Sequence, residues 1–231
     1  MILLESSLYK QSWEESFTSY YPLKGINFAS VDLTTSTDDT QTHDVSLNSM
    51  EQTLSNDIAT LTESAYAIAV ARGPIQALVA QYYLESLPLA GLVLVDPFLL
   101  PEDGRVSNTE EGRWNESFDS LVNGGMFSKH LNETSGSIDA FTSSSFAKEM
   151  TLLESLPNIT PRPLYLEPSP VPILVMYSAY PDAYRAHQCA ERTAKFHGMQ
   201  GQALEIPINS GTDNMDWVTE RIYEWYDESV A

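Results

Sequence analysis

Residues 72–76, Arg-Gly-Pro-Ile-Gln, fall where a chain patterned like this one would carry a nucleophile. The apolar run from Ala65 to Ala71 meets Arg72-Gly73-Pro74, and a helical stretch, Ile75 to Leu87, follows. The apolar run Leu92-Val93-Leu94-Val95 then closes at Asp96-Pro97. Strand, sharp turn, helix and strand make a βαβ unit, whose length and crossover imply a parallel sheet. Acyl transfer needs an attacking hydroxyl or thiol. No Ser, Cys, Thr, Asp or Glu lies between Ala65 and Leu84.

This stretch resembles the α/β-hydrolase family, in which a strand enters a G-x-S-x-G elbow and leaves as a helix. Alignment of ALVAQYYLESLPLAGLVLVDP with the family's following helix and strand puts Arg72 and Gln76 in the two glycine slots. Pro74 then takes the serine slot, with Ile75 after it, and a shift of one residue would put Gly73 there instead. Neither residue is a nucleophile. Proline suits the first turn of a helix, where its missing N–H costs nothing, so the strained elbow is expected to be relaxed.

The resemblance also says where the other parts of the machinery should lie. The base would follow the last strand, where Asn209-Ser210-Gly211-Thr212-Asp213 puts Thr212 in the histidine slot. A hydroxyl cannot take up a proton near neutral pH. The acid would follow the preceding strand, where Asp182 stands, with Asp96 as an alternative; without a histidine to orient, either reads as a turn residue or helix N-cap. The oxyanion loop after the first strand carries Glu5-Ser6, and a carboxylate aimed at a developing oxyanion would raise the barrier. The four histidines, His43, His130, His187 and His197, lie away from these slots and read as surface residues.

The elements that would position these residues alternate along the chain. Strands are expected at Met1–Leu4, Ile26–Leu33, Ile173–Tyr177 and Ala203–Ile208, besides the βαβ unit. Helices are expected over 11–23, Leu47–Thr62, Ala183–His197 and Trp217–Glu228. The fold class is therefore α/β: one domain over 1–231, a mostly parallel doubly wound sheet with helices on both faces. A cap-like insertion spans about 101–165, and the family's N-terminal antiparallel strands are reduced or absent. Six prolines between Pro157 and Pro172 make a stiff connector.

Composition bounds the partners. Hydrophobic content of 42% over 231 residues suits a globular core. A net charge of −20 argues against nucleic acid and anionic membrane surfaces, and it reads either as a well-solvated surface or, more sharply, as docking to a basic protein partner. No apolar run is long enough for membrane insertion. Without H-x-x-x-H, C-x-x-C, G-x-G-x-x-G or a P-loop, neither a metal nor a nucleotide cofactor is expected. Asp38-Asp39 and Asp213/Asp216 read as solvated loop pairs. The lone Cys189 and the lack of an export signal point to a cell or organelle interior, and a removed targeting peptide is compatible with that.

Three expectations follow for function. The first is a catalytically inactive hydrolase scaffold acting as a binding or structural subunit of a larger assembly. Its candidate contact aromatics are Trp114, Trp217, Tyr223, Trp225 and Tyr226, although helical spacing also suits Trp217 and Trp225 for packing on the sheet. The second is a small-molecule binding protein using a remnant pocket. The third is an esterase or lipase-like hydrolase with an atypical site.

Overall fold

The computed structural model describes residues 1–7, 9, 11–33, 47–61, 66–97, 149, 152, 171–178, 187, 190–191, 193–195, 197, 203–209 and 212–230. In chain order the elements are β1 (Ile2–Glu5), α1 (Glu14–Tyr20) with a 3-10 turn over Tyr21–Lys24, β2 (Ala29–Val31), α2 (Leu47–Leu61), β3 (Ile68–Arg72) and α3 (Pro74–Ser86). They continue with β4 (Gly91–Val95), β5 (Ile173–Ser178), β6 (Leu204–Ile206), β7 (Ile208–Asn209), β8 (Thr212–Asp213) and α4 (Met215–Ser229). Six strands form one parallel sheet in the order β2-β1-β3-β4-β5-β6. Among the described residues only β7 and β8 pair antiparallel.

Alternation along each strand divides the core in two. Ile2, Leu4, Ala69, Ala71, Leu92, Leu94, Ile173 and Val175 point to one face, where they meet α2 and α3 through Met50, Leu54, Ile58, Ile75 and Leu78. Ala190 and Ala194, helical and buried, join that face. Leu3, Val70, Val93, Val95, Leu174 and Met176 point the other way, onto Trp13, Phe17, Val218 and Ile222 of the α1 and α4 side. Helices thus cover both faces, as the alternating sequence pattern requires.

Local chemistry sets the ends. Pro74 opens α3, and Leu87, held extended before Pro88, closes it. Asn214 caps α4 by accepting the Trp217 N–H at 3.3 Å. Gly91 has no side chain because a Cβ there would stand 2.8 Å from the Trp225 ring. Trp217 and Trp225 pack against the α1/α4 core, which favours their structural role over a contact role.

The last strand departs from expectation. Pro207 has no N–H to donate, so the ladder stops at Ile206 and the chain turns into the β7–β8 hairpin. Strand β2 covers only three of the eight residues from Ile26 to Leu33. Asp182, His43, His130, Trp114, Asp38-Asp39, Cys189 and nearly all of the 101–165 insertion lie outside the described residues.

Candidate functional site

One row of residues crosses the carboxyl edge of the sheet: Glu5 beside Arg72, Arg72 beside Val95, and Val95 beside Met176. From β1 the chain winds to β2 on one side, and from β3 onward it winds to the other. The reversal between β1 and β3 opens the crevice at which doubly wound sheets hold ligands.

Arg72 fills this crevice, with its side chain 1% exposed. Its Nη1 donates to Glu5 Oε1 at 2.5 Å and to the Gln11 carbonyl at 2.6 Å, and its Nη2 donates to Asp213 Oδ2 at 2.6 Å. The guanidinium carbon lies 3.9 Å from the Tyr9 ring centre and 4.3 Å from that of Trp13. Trp13 closes the network by donating its Nε1 to Asp213 Oδ2 at 3.1 Å and its backbone N–H to Glu5 at 3.0 Å. Burial alone would push the guanidinium down, but Asp213, Tyr9 and Glu5 reverse it and hold Arg72 above its ordinary value.

Asp96 lies beside this cluster, just beyond β4, in the left-handed region at φ 50°. Its Oδ1 accepts the Ser178 N–H at 2.8 Å, and its Oδ2 accepts the Ser178 hydroxyl and the Tyr9 hydroxyl, each at 3.0 Å. Burial dominates over these donors and pushes the carboxyl up to about 6. The Tyr9 hydroxyl is itself raised well above its usual value, first by burial and then by Asp96.

A third carboxylate enters from the far side of the sequence. Glu149 is buried and accepts the Gln76 amide at 2.8 Å, the Ser7 N–H at 2.9 Å and the Ser7 hydroxyl at 2.8 Å. Burial raises its carboxyl, and hydrogen bonds from Ser6, Gln76 and Ser7 oppose that shift.

The turn into α3 has positive φ at Gly73 rather than at Pro74. Gly73 has φ 119° and ψ 159°, a combination that glycine alone adopts without strain. A Cβ there would meet Gln76 Oε1 at 2.7 Å and Ser6 Cβ at 2.8 Å. Pro74 and Ile75 are buried in the first turn of α3.

Several other expectations are corrected. Asp213 is a buried partner of Arg72 and not a solvated loop residue. Glu5 points neither to solvent nor to a vacant anion site, because the neighbouring strand presents Arg72 to it in register. Asp96 is a buried acceptor from Ser178 and Tyr9 and caps none of the described helices. His197 is partly buried, with its Nε2 2.8 Å from Gln81 Oε1, so it is not a surface histidine. His187 keeps a surface contact, 3.1 Å from Glu191. Thr212 lies in β8, opposite Asn209.

Sequence reasoning missed Tyr9, Trp13 and Glu149 altogether. The available signal was Arg72 itself, a lone cation ending an apolar strand and therefore in need of carboxylates. Among the described residues no group of three or more His, Cys, Asp or Glu could hold a metal ion. At the opposite edge of the sheet, Ile2, Phe28, Leu61, Tyr66 and Val230 help to line a cavity of about 470 Å³, which of the candidate contact aromatics includes Tyr226.

No family model matches this sequence, and no curated protein matches it either. Solved structures do match. MenH from S. aureus superposes with a TM-score of 0.56 over 99% of this chain and 94% of its own, at 12% identity. AqDC, from a structure concerned with recognition and ring cleavage of the Pseudomonas quinolone signal, gives 0.56 over 98% and 91%, also at 12% identity. An alpha/beta hydrolase fold protein from Burkholderia ambifaria gives 0.51 over 96% and 89%, at 11% identity.

Proposed function

This chain has the α/β-hydrolase fold, and we propose that it is a catalytically inactive version of that fold, serving as a binding or structural subunit of a larger assembly. The observation that carries the proposal is Arg72. The crevice beside the strand end is occupied by a buried cation, two carboxylates and two aromatic rings that bond to and stack on one another. The positive-φ position at the elbow is Gly73, which offers no attacking atom, and the residue after it, Pro74, has no N–H to give an oxyanion. Among the described residues, His197 pairs with Gln81 and His187 with Glu191. A surface carrying a net −20 suits a basic partner.

Purified full-length protein, assayed with short p-nitrophenyl esters and a fluorophosphonate probe, is expected to match a denatured control and to take up no label. Saturable turnover, or a labelled serine, overturns the inactive assignment. Ser7, the exposed hydroxyl bonded to Glu149, is the first position to check for label. The subunit role is read by gentle isolation from the native source, where a stoichiometric complex is expected and a free monomer sinks it.

A further inference from the structure

The donors around Glu149 have a use beyond filling space. Ser6 and Gln76 are each 2% exposed, Glu149 is 1% exposed, and Ser7 opens to solvent. Gln76 Nε2 serves one carboxylate oxygen, and the Ser7 N–H and hydroxyl converge on the other, at 2.8–2.9 Å. The Ser6 side chain adds a further hydrogen bond. Among the described residues, the hydrogen bonds to this carboxylate come from neutral donors. Neutral donors split between two oxygens match a planar monoanion and would leave a phosphate dianion under-neutralised. Ser6 and Ser7 follow the end of β1 and Gln76 stands in the first turn of α3, on the frame that also fixes Gly73, whereas Glu149 arrives from 142 residues beyond Ser7. The cradle therefore belongs to the sheet edge, and the acid is its guest.

We propose that Ser6, Ser7 and Gln76 form a binding site for small carboxylates, now occupied by Glu149 as an internal ligand, and that a carboxylate from solution can take the same seat. Carboxylate capture needs no catalysis, so the ester assay bears on the preceding proposal and leaves this one standing.

Glu149→Ala removes one methylene and the carboxylate, a volume that acetate restores. In the full-length variant, acetate is expected to raise the melting temperature saturably, while acetamide and equimolar chloride do not. Adding Gln76→Ala to that background weakens acetate binding by about tenfold or more, the effect of one lost hydrogen bond to a charged group. Acetate acting no better than acetamide or chloride overturns the proposal. Should Glu149→Ala not fold, the wild-type chain carrying 13C-labelled glutamate serves, with the Glu149 signal assigned from Glu149→Gln. There, Gln76→Ala is expected to move the Glu149 titration midpoint upward, and an unmoved midpoint counts equally against the site.

Discussion

Two buried carboxylate sites lie side by side on the carboxyl edge of this sheet, and they solve the same problem differently. On the β1–β3 side, Glu5 and Asp213 are charge-balanced by Arg72 and stacked upon by aromatic rings. On the β4–β5 side, Asp96 bonds directly to no cation and relies on two hydroxyls and one amide. A dry site accepts an ionised acid readily when a guanidinium is in contact with it. With neutral donors alone, burial wins and the acid holds its proton to higher pH.

Removing charge should therefore have opposite consequences on the two sides. Arg72→Met leaves the buried Asp213 and the partly buried Glu5 without their cation, and a broken buried ion pair costs roughly 3–5 kcal/mol. Urea unfolding at pH 8 is the measurement. Adding Glu5→Gln and Asp213→Asn to the same chain should recover most of the loss. Stability unchanged in the single variant would mean that the guanidinium is solvated in solution, and the contrast between the sites would fail.

Asp96→Asn tests the other side. Asparagine tolerates the left-handed backbone at this position, its carbonyl can keep the Ser178 N–H, and both hydroxyls can rotate to accept from its amide. In the wild type the folded carboxyl titrates near 6 against an ordinary 3.8. Its contribution to stability is full below 3.8 and is lost as pH rises through 6. Between pH 5 and 8 that loss is about 1.4 kcal/mol, since one pKa unit is worth about 1.4 kcal/mol. The variant should gain on wild type by this amount as pH rises over that range, which stays above the isoelectric point of 4.3. A wild-type-to-variant difference that does not depend on pH removes the argument from burial.

The contrast between the sites also marks how far the sequence could be read. Apolar runs at 68–71, 92–95 and 173–176 specify buried parallel strands, because every second residue must face a helix layer. The βαβ unit, both helix layers and the turn at Arg72-Gly73-Pro74 follow from local pattern. The pairing of Arg72 with Asp213 does not, since 141 residues separate them and only the finished topology brings β8 over the end of β3. Asp213 looked solvated because it sits among polar neighbours before a helix cap. Glu149 was hidden for the same reason, being one acid in a polar stretch. Register could have paired Glu5 with Arg72, as both end adjacent strands, had the strand ends been placed at residues 5 and 72 instead of 4 and 71.

His197 offers the finest test, because it is a partly buried base whose shift comes from burial and should mirror Asp96 with the sign reversed. Its Nε2 lies 2.8 Å from Gln81 Oε1, and Gln81 uses its own amide on the Ala77 carbonyl at 2.9 Å, so the imidazole carries a proton on Nε2. Burial lowers it from 6.5 to about 4. The neutral ring therefore contributes stability that is full above pH 6.5 and is lost as pH falls toward 4. Partial exposure limits the effect to about 1 kcal/mol between pH 8 and 5. Over the same interval Asp96 gains stability as pH falls, so the two groups oppose each other in the wild type. His197→Gln can keep the bond to Gln81 and removes the titration, so this variant alone should grow more stable on going from pH 8 to 5, and Asp96→Asn alone less stable. If both variants follow the wild-type curve, neither group is as dry as its place in the fold requires.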